Sequence, residues 1–154
     1  MKKILFVCHG NICRSPMAEL VMKNLVKNSE VEFYIASAAT STEEIGSPVH
    51  RGTRTKLLSV GIDVPVRQAV QMTKDDYKEY DLIVAMDSHN VKNILRITGG
   101  DPEAKIYKLM YFTGSDDDVA DPWYTGDFDR TYDDVLKGCK ALLKLIERGE
   151  AYGI

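Results

Sequence analysis

Cysteine, histidine and long apolar runs are all scarce in this chain, and each scarcity removes a class of protein. The sequence of 154 residues has three cysteines, two of them in one short loop, so no disulfide framework holds it together. Its three histidines are His9, His50 and His89. None shares with cysteines and carboxylates a spacing that suggests a metal site. His50 and His89 each stand near an expected helix start and read as surface or capping residues. No apolar stretch approaches the length of a membrane span. Met1-Lys2-Lys3 and the short apolar run behind it are too brief for a secretory signal, with no small-residue cleavage site. A net charge of −3 without a basic stripe argues against bulk nucleic-acid binding. Internal repeats and low-complexity segments are absent too. What is left is 44% hydrophobic and 28% charged, ordinary for a soluble globular protein. The expectation is a single domain over residues 1–154, large enough for a real core.

The most informative stretch is Cys8-His9-Gly10-Asn11-Ile12-Cys13-Arg14-Ser15, followed by Pro16. An apolar run, Ile4 to Val7, precedes it and a helical pattern follows. Ser15 is a good N-cap and Pro16 suits the first helical position. A helix N-terminus carries unpaired N–H groups and partial positive charge, and a turn of successive N–H groups deepens it into an anion nest. Gly10 and Asn11 are the residues most able to take the positive φ that such a loop requires. Arg14 adds a planar fork matched to phosphate oxygens. Cys8 lies at the floor, where the field that attracts phosphate also favours a thiolate. An anion cradle with a nucleophile at its floor implies phosphoryl transfer through cysteine. A free thiolate suits a reducing, cytoplasmic setting.

Strands are expected at 3–7, 31–36, 82–86 and 106–109, and helices at 16–28, 48–59, 73–79, 88–97 and 129–148. Their alternation predicts a three-layer α/β sandwich with a four-stranded parallel sheet and helices on both faces. Sites in such sheets lie at the carboxyl ends of the strands, where the Cys8 loop falls. Gly61, Gly99-Gly100 and Gly149 read as helix stops. The last helix places Tyr132, Val135, Leu136, Cys139, Leu142, Leu143 and Ile146 on one face, so Cys139 is expected in the core.

The loop from 113 to 129 is long for a compact domain, and long ordered loops are usually functional. Eight aspartates lie between Asp116 and Asp134, most of them simply solvated. Asp121 stands apart. Pro122 restricts it to extended geometry, and Trp123 and Tyr124 can shield it and line the mouth of a pocket. Asp121 is therefore the candidate general acid, with Asp118 its rival in the same loop.

The run Val7 to Glu19, which contains the whole Cys8 loop, resembles the signature of the low-molecular-weight protein tyrosine phosphatases. Asp121-Pro122-Trp123-Tyr124 resembles that family's general-acid loop. Thr73 to Tyr77 and Ala85 to Asn90 are similar too, so the resemblance spans essentially the whole chain. It implies the flavodoxin-like fold of that family, hydrolysis of phosphotyrosine in proteins or peptides with inorganic phosphate as product, and no metal or organic cofactor. Cys8 would be the nucleophile, Arg14 the phosphate clamp and Asp121 the acid. Residues His9 to Ser15 would form the phosphate loop, with Ile12, Glu43, Trp123 and Tyr124 lining the substrate pocket. Asn11, Ser15 and Ser37 would hold the loop in shape, Ser15 also donating to the Cys8 sulfur.

The chain departs from that pattern in places. Arg67 stands where the loop-supporting network usually has a histidine, and Ala39 replaces an expected glycine. The loop 41–46, with Glu43 and Glu44, lacks the aromatic residue many relatives place at the rim. None of these touches Cys8, Arg14 or Asp121. A protein arginine phosphatase uses the same fold and nucleophile, but such relatives carry threonine where Ile12 stands. Thiol-dependent arsenate reductases need further cysteines near the third strand, and residues 80–100 have none. A phosphoanion-binding module would need neither Cys8 nor Asp121. Cys13 is either a small residue packed under the loop or a thiol that traps oxidised Cys8.

Overall fold

The computed structural model describes residues 1–149; the last five positions of the expected 1–154 span lie outside the described residues. Strand β1 (Lys2–Cys8) is the centre of the molecule, paired in parallel with β2 (Phe33–Ala39) on one side and β3 (Leu82–Ala85) on the other. Strand β4 (Ile106–Lys108) adds to β3, giving the order β2-β1-β3-β4 with every pair parallel. Both faces of β1 are covered, which is why its sequence runs apolar without alternation. Ile4, Phe6 and Cys8 face one cluster with helices α1 (Arg14–Leu25) and α6 (Phe128–Glu147). Leu5 and Val7 face the other, with residues of α3 (Asp76–Glu79) and α4 (Ser88–Thr98). Helices α2 (Arg51–Ser59) and α5 (Pro122–Thr125), with short 3-10 helices at Val26–Asn28 and Leu109–Thr113, are the remaining elements of the described residues. The expected three-layer α/β sandwich is the observed architecture.

Several boundaries move, each for a local reason. Strand β2 begins later than expected and runs on through Ser37 to Ala39, because its register follows β1 from Lys2↔Phe33 to Cys8↔Ala39. Ser37 thus sits on a strand, beside the Cys8 loop. Helix α1 begins at Arg14, its first turn closed by the Met17 N–H on the Cys13 carbonyl at 3.1 Å. Ser15 is therefore not the cap; the N-cap is Cys13, which makes no side-chain cap bond. Pro16 still lies in the first turn, where its missing N–H costs no helical bond. Helix α2 starts at Arg51, capped by His50, whose Nδ1 accepts from the Gly52 N–H at 3.0 Å. The long loop 113–129 contains the short helix α5. Gly99 and Gly149 end α4 and α6 with φ of +79° and +69°, as their sequence positions predict. Cys139 is fully buried in the core.

Candidate active site

Cys8 is the last residue of β1, and the chain turns over its sulfur before entering α1. The turn is made at Asn11, whose φ is +58°; Gly10 does not take positive φ. Of the two residues most able to take positive φ, only Asn11 does so. A Cβ at Gly10 would meet the Glu44 Cγ at 3.4 Å, an ordinary van der Waals contact. A left-handed asparagine needs its side chain held, and Asn11 is held on every atom. Arg67 Nη2 donates to Asn11 Oδ1 at 2.5 Å and Nη1 to the Asn11 carbonyl at 3.2 Å. The Val70 N–H also donates to Oδ1, at 3.2 Å.

Those donors fix the amide orientation, because guanidinium and backbone N–H groups cannot accept. Asn11 Nδ2 therefore donates, to Ser15 Oγ at 2.8 Å and to Ser37 Oγ at 2.9 Å. Ser37 passes its own proton to the Glu19 carboxylate at 2.5 Å, and Glu19 is paired with Lys23 at 2.6 Å. Ser15 Oγ, an acceptor from Asn11, also stands 3.0 Å from Cys8 Sγ, within hydrogen-bond distance. The Asn11 N–H aims at the same sulfur from 3.3 Å. The network thus leads from a donor-only cation to the Cys8 sulfur. Burial lowers Arg67 from its ordinary value, with Glu19 and then Cys8 acting the other way.

Arg14 opens α1 with its side chain buried. Its Nη1 lies 2.9 Å from Asp87 Oδ2 and donates to the Val119 carbonyl at 3.1 Å. Its Nη2 lies 3.3 Å from Asp121 Oδ2. A single guanidinium therefore gathers the loop of α1, the N-cap of α4 and the acidic loop around one cavity of about 610 Å³. The cavity is lined by Cys8, Ile12, Arg14, Glu43, Asp121, Trp123 and Tyr124 among others.

Asp121 has the extended backbone that Pro122 imposes, φ −90° and ψ 110°, and caps α5 by accepting from the Trp123 N–H at 3.0 Å. Asp118 is elsewhere: its Oδ1 accepts from the Ser88 N–H and faces Lys108 Nζ, both at 3.1 Å. Trp123 and Tyr124 stand at the mouth, 64% and 85% exposed, and leave the Asp121 side chain 29% exposed. They line the pocket without shielding Asp121 as expected. Trp123 is steadied by an edge contact with His50 at 6.2 Å, and His50 stacks on Phe128. Across the entrance, His9 Nε2 meets Glu43 Oε2 at 2.7 Å, both exposed.

Cys13 lines the same cavity but has a different environment. Burial, and then the neighbouring Cys8, push its thiol up to about 12. Among the described residues, no group of three or more His, Cys, Asp or Glu is placed to hold a metal ion, and no helix is long and apolar enough to cross a membrane.

Sequence reasoning assigned no role to Asp87, Glu19 or Lys108. Asp87 left a signal, since Asp at an N-cap with Asn90 three residues on is a capping box. Glu19 sat inside the quoted motif, but its contact with Ser37 depends on the strand register. Lys108 left none.

Fold and site together define an α/β protein with a cysteine-floored anion loop, closed over by an arginine and a loop-borne carboxylate. The chain belongs to the low molecular weight phosphotyrosine protein phosphatase family, whose model matches residues 3–151. It is thereby grouped with the protein phosphatases, a class of hydrolases. It is 36% identical to the low molecular weight protein-tyrosine-phosphatase YfkJ of Bacillus subtilis, over 96% of this chain and 97% of the relative. The crystal structure of YfkJ superposes with a TM-score of 0.90, covering 98% of each chain. SP-PTP of Streptococcus pyogenes, a low molecular weight protein tyrosine phosphatase, is 43% identical with a TM-score of 0.85, over 94% of this chain and 92% of its own. A Drosophila arginine phosphatase is 28% identical with a TM-score of 0.84, over 95% and 98%.

Proposed function

We propose that this protein hydrolyses phosphotyrosine in proteins or peptides through a phosphocysteine intermediate. The carrying observation is the convergence on the Cys8 sulfur of the Ser15 hydroxyl and the Asn11 N–H, beneath a cavity that Arg14 and Asp121 also line. Two donors aimed at one buried sulfur stabilise it as thiolate, both when it attacks and when it leaves. With phosphate in the loop, Arg14 and the loop N–H groups hold the equatorial oxygens, where charge is spread in the transition state.

Cys8 attacks phosphorus as the tyrosyl oxygen departs, taking its proton from Asp121. A water molecule then attacks the phosphocysteine and loses a proton to Asp121. The Cys8–phosphorus bond breaks, the thiolate returns and inorganic phosphate leaves. In the free protein Asp121 lies against Arg14; arriving phosphate takes over that fork and leaves Asp121 beside the leaving group. Neither step calls for a metal or organic cofactor.

Asp121→Ala tests the acid. A tyrosyl leaving group, with pKa about 10, depends on protonation, whereas a nitrophenolate does not. The variant should lose roughly 10²–10⁴-fold in kcat/KM on phosphotyrosine peptides and far less on p-nitrophenyl phosphate. Equal losses on both would remove Asp121 from this role. Phosphoarginine is the second reading, supported by likeness to the Drosophila arginine phosphatase; Ile12 in place of threonine favours phosphotyrosine. Matched peptides carrying either group, assayed side by side, decide between them.

A further inference from the structure

Lys108 ends β4 and reaches groups that the mechanism above leaves aside. Its Nζ lies 2.6 Å from the Asp116 carbonyl oxygen, 3.1 Å from Asp118 Oδ1 and 3.1 Å from Ser88 Oγ. An ammonium has three N–H donors, and these partners take all of them. Asp116 Oδ1 stands a little further off, at 3.3 Å. The side chain is only 12% exposed. Burial by itself lowers the ammonium's pKa, but the bonds to Asp118 and Asp116 outweigh it and leave the group raised. Lys108 is a committed cation.

Its partners come from the two segments that carry the proposed chemistry. Ser88 directly follows Asp87, the carboxylate that holds Arg14. Asp116 and Asp118 belong to the segment that ends in Asp121. Asp118 also accepts from the Ser88 N–H, so it sits on the N-terminus of α4, where a negative charge is favoured. The residues just before Asp121 have anchors of their own. The Val119 N–H donates to the Met86 carbonyl at 2.8 Å, and the Ala120 N–H to Asp134 Oδ2 at 3.1 Å. The stretch 116–118 is exposed and carries three consecutive carboxylates. Consecutive like charges repel. Lys108 supplies the opposing charge.

We propose that Lys108 is a positioning residue for the general acid. By tying 116–118 to the first turn of α4, it sets where Asp121 stands relative to Arg14 and the leaving group. Displacement of a catalytic group by about 1 Å costs on the order of 10²-fold in rate, so a loosened loop shows in kinetics before it shows in the fold. The proposal rests on the assignment of Asp121 as acid.

The test is a double-mutant cycle read with two esters, a phosphotyrosine peptide and p-nitrophenyl phosphate. Lys108→Met should slow the peptide roughly 10–100-fold in kcat/KM and the nitrophenyl ester by less than about threefold. In an Asp121→Ala background it should add nothing, because it acts through Asp121. Inhibition by inorganic phosphate should be unchanged, and Lys108→Arg should recover most of the loss. If Lys108→Met does not fold, Asp118→Asn breaks the same tie from the other side and carries the same test. Equal losses on both esters, or a further loss on top of Asp121→Ala, overturn the proposal. Leaving-group dependence in Asp121→Ala but not in Lys108→Met overturns it alone. Absence of that dependence in Asp121→Ala overturns the acid assignment and this proposal with it.

Discussion

Asn11, under the floor of the pocket, has no exposed surface, whereas Tyr124 at its rim is 85% exposed. The floor is made of groups that spend most of their hydrogen bonds on one another. Arg67, Asn11, Ser15, Ser37 and Glu19 form a connected set that ends against the Cys8 sulfur. The rim is made of side chains that touch little: Glu43 pairs with His9 in solvent, and Trp123 leans on His50. Buried polar groups lose heavily when a partner is removed, and exposed ones lose little. The floor therefore fixes the chemistry, and the rim can vary without disturbing it.

The largest effect expected from this contrast separates Cys8 from the aromatic rim. Cys8→Ser should abolish turnover while still binding inorganic phosphate or vanadate, since the loop N–H groups and Arg14 remain. Trp123→Ala should keep the chemistry and chiefly raise KM. Turnover surviving in Cys8→Ser would remove the covalent intermediate.

Arg67→Met comes next. It strips two donors from Asn11, leaving a buried amide oxygen and carbonyl with fewer partners, at a cost of about 1–3 kcal/mol. Denaturant unfolding should report a loss of that size. Truncating Val66 beside it, fully exposed at 101%, should be almost silent. A floor that tolerates Arg67→Met as easily would not depend on the Arg67 bonds to Asn11.

How much of this was legible from sequence follows the same division. Cys8, Arg14 and Asp121 belong to two contiguous stretches whose local chemistry announces them, and the structure brings them around one cavity. The parallel sheet follows from strand–helix alternation, whereas its order β2-β1-β3-β4 does not. What sequence missed is what depends on register across distant elements. Ser15 read as a helix cap because Ser-Pro favours one, but the sulfur and Asn11 claim its hydroxyl. Ala39 in place of glycine is harmless because it sits in regular strand, giving its N–H to Val70 and taking one from Met72. Arg67 fills the histidine's place only because residues 66–70 lie against the 44–47 turn, through Ala69 to Ser47 and Gly46. Lys108 meets Asp118 across a ten-residue span without a local pattern to mark it.

The two loop cysteines give a smaller effect that sharpens the contrast within the floor itself. Cys13, pushed up to about 12 mainly by burial, stays a thiol at neutral pH. Iodoacetate at pH 6 should label Cys8 alone, with phosphate protecting. Because the folded value of Cys13 exceeds its ordinary 9.0, its protonated form stabilises the fold. That contribution is complete below pH 9 and is lost as pH rises through the window from 9 to about 12. Cys13→Ser should therefore soften the alkaline fall in stability, by about 1.4 kcal/mol for each pH unit of that window. After peroxide, dithiothreitol should restore the parent more fully than Cys13→Ser if the second thiol traps oxidised Cys8; equal recovery leaves Cys13 a packing residue.

The smallest effect belongs to the acidic side of the rim. Glu43 is exposed, and Glu44 is drawn aside by the Ser47 hydroxyl at 2.9 Å. Their charges border the entrance, so they repel acidic residues flanking a phosphotyrosine and attract basic ones. Exposed pairs contribute about 0.2–1 kcal/mol, at most a fivefold or so preference in kcat/KM. Screening acts over about 8–10 Å near physiological salt, so the preference should shrink as salt rises. His9 opposes it whenever the ring is protonated, because it lies 2.7 Å from the same carboxylate. Basic-flanked peptides should therefore gain over acidic ones at low salt, and the gain should grow in His9→Gln and vanish in Glu43→Gln/Glu44→Gln. If the double variant retains the full preference, the discrimination lies on the opposite wall with Asp121, and these glutamates are ordinary surface residues.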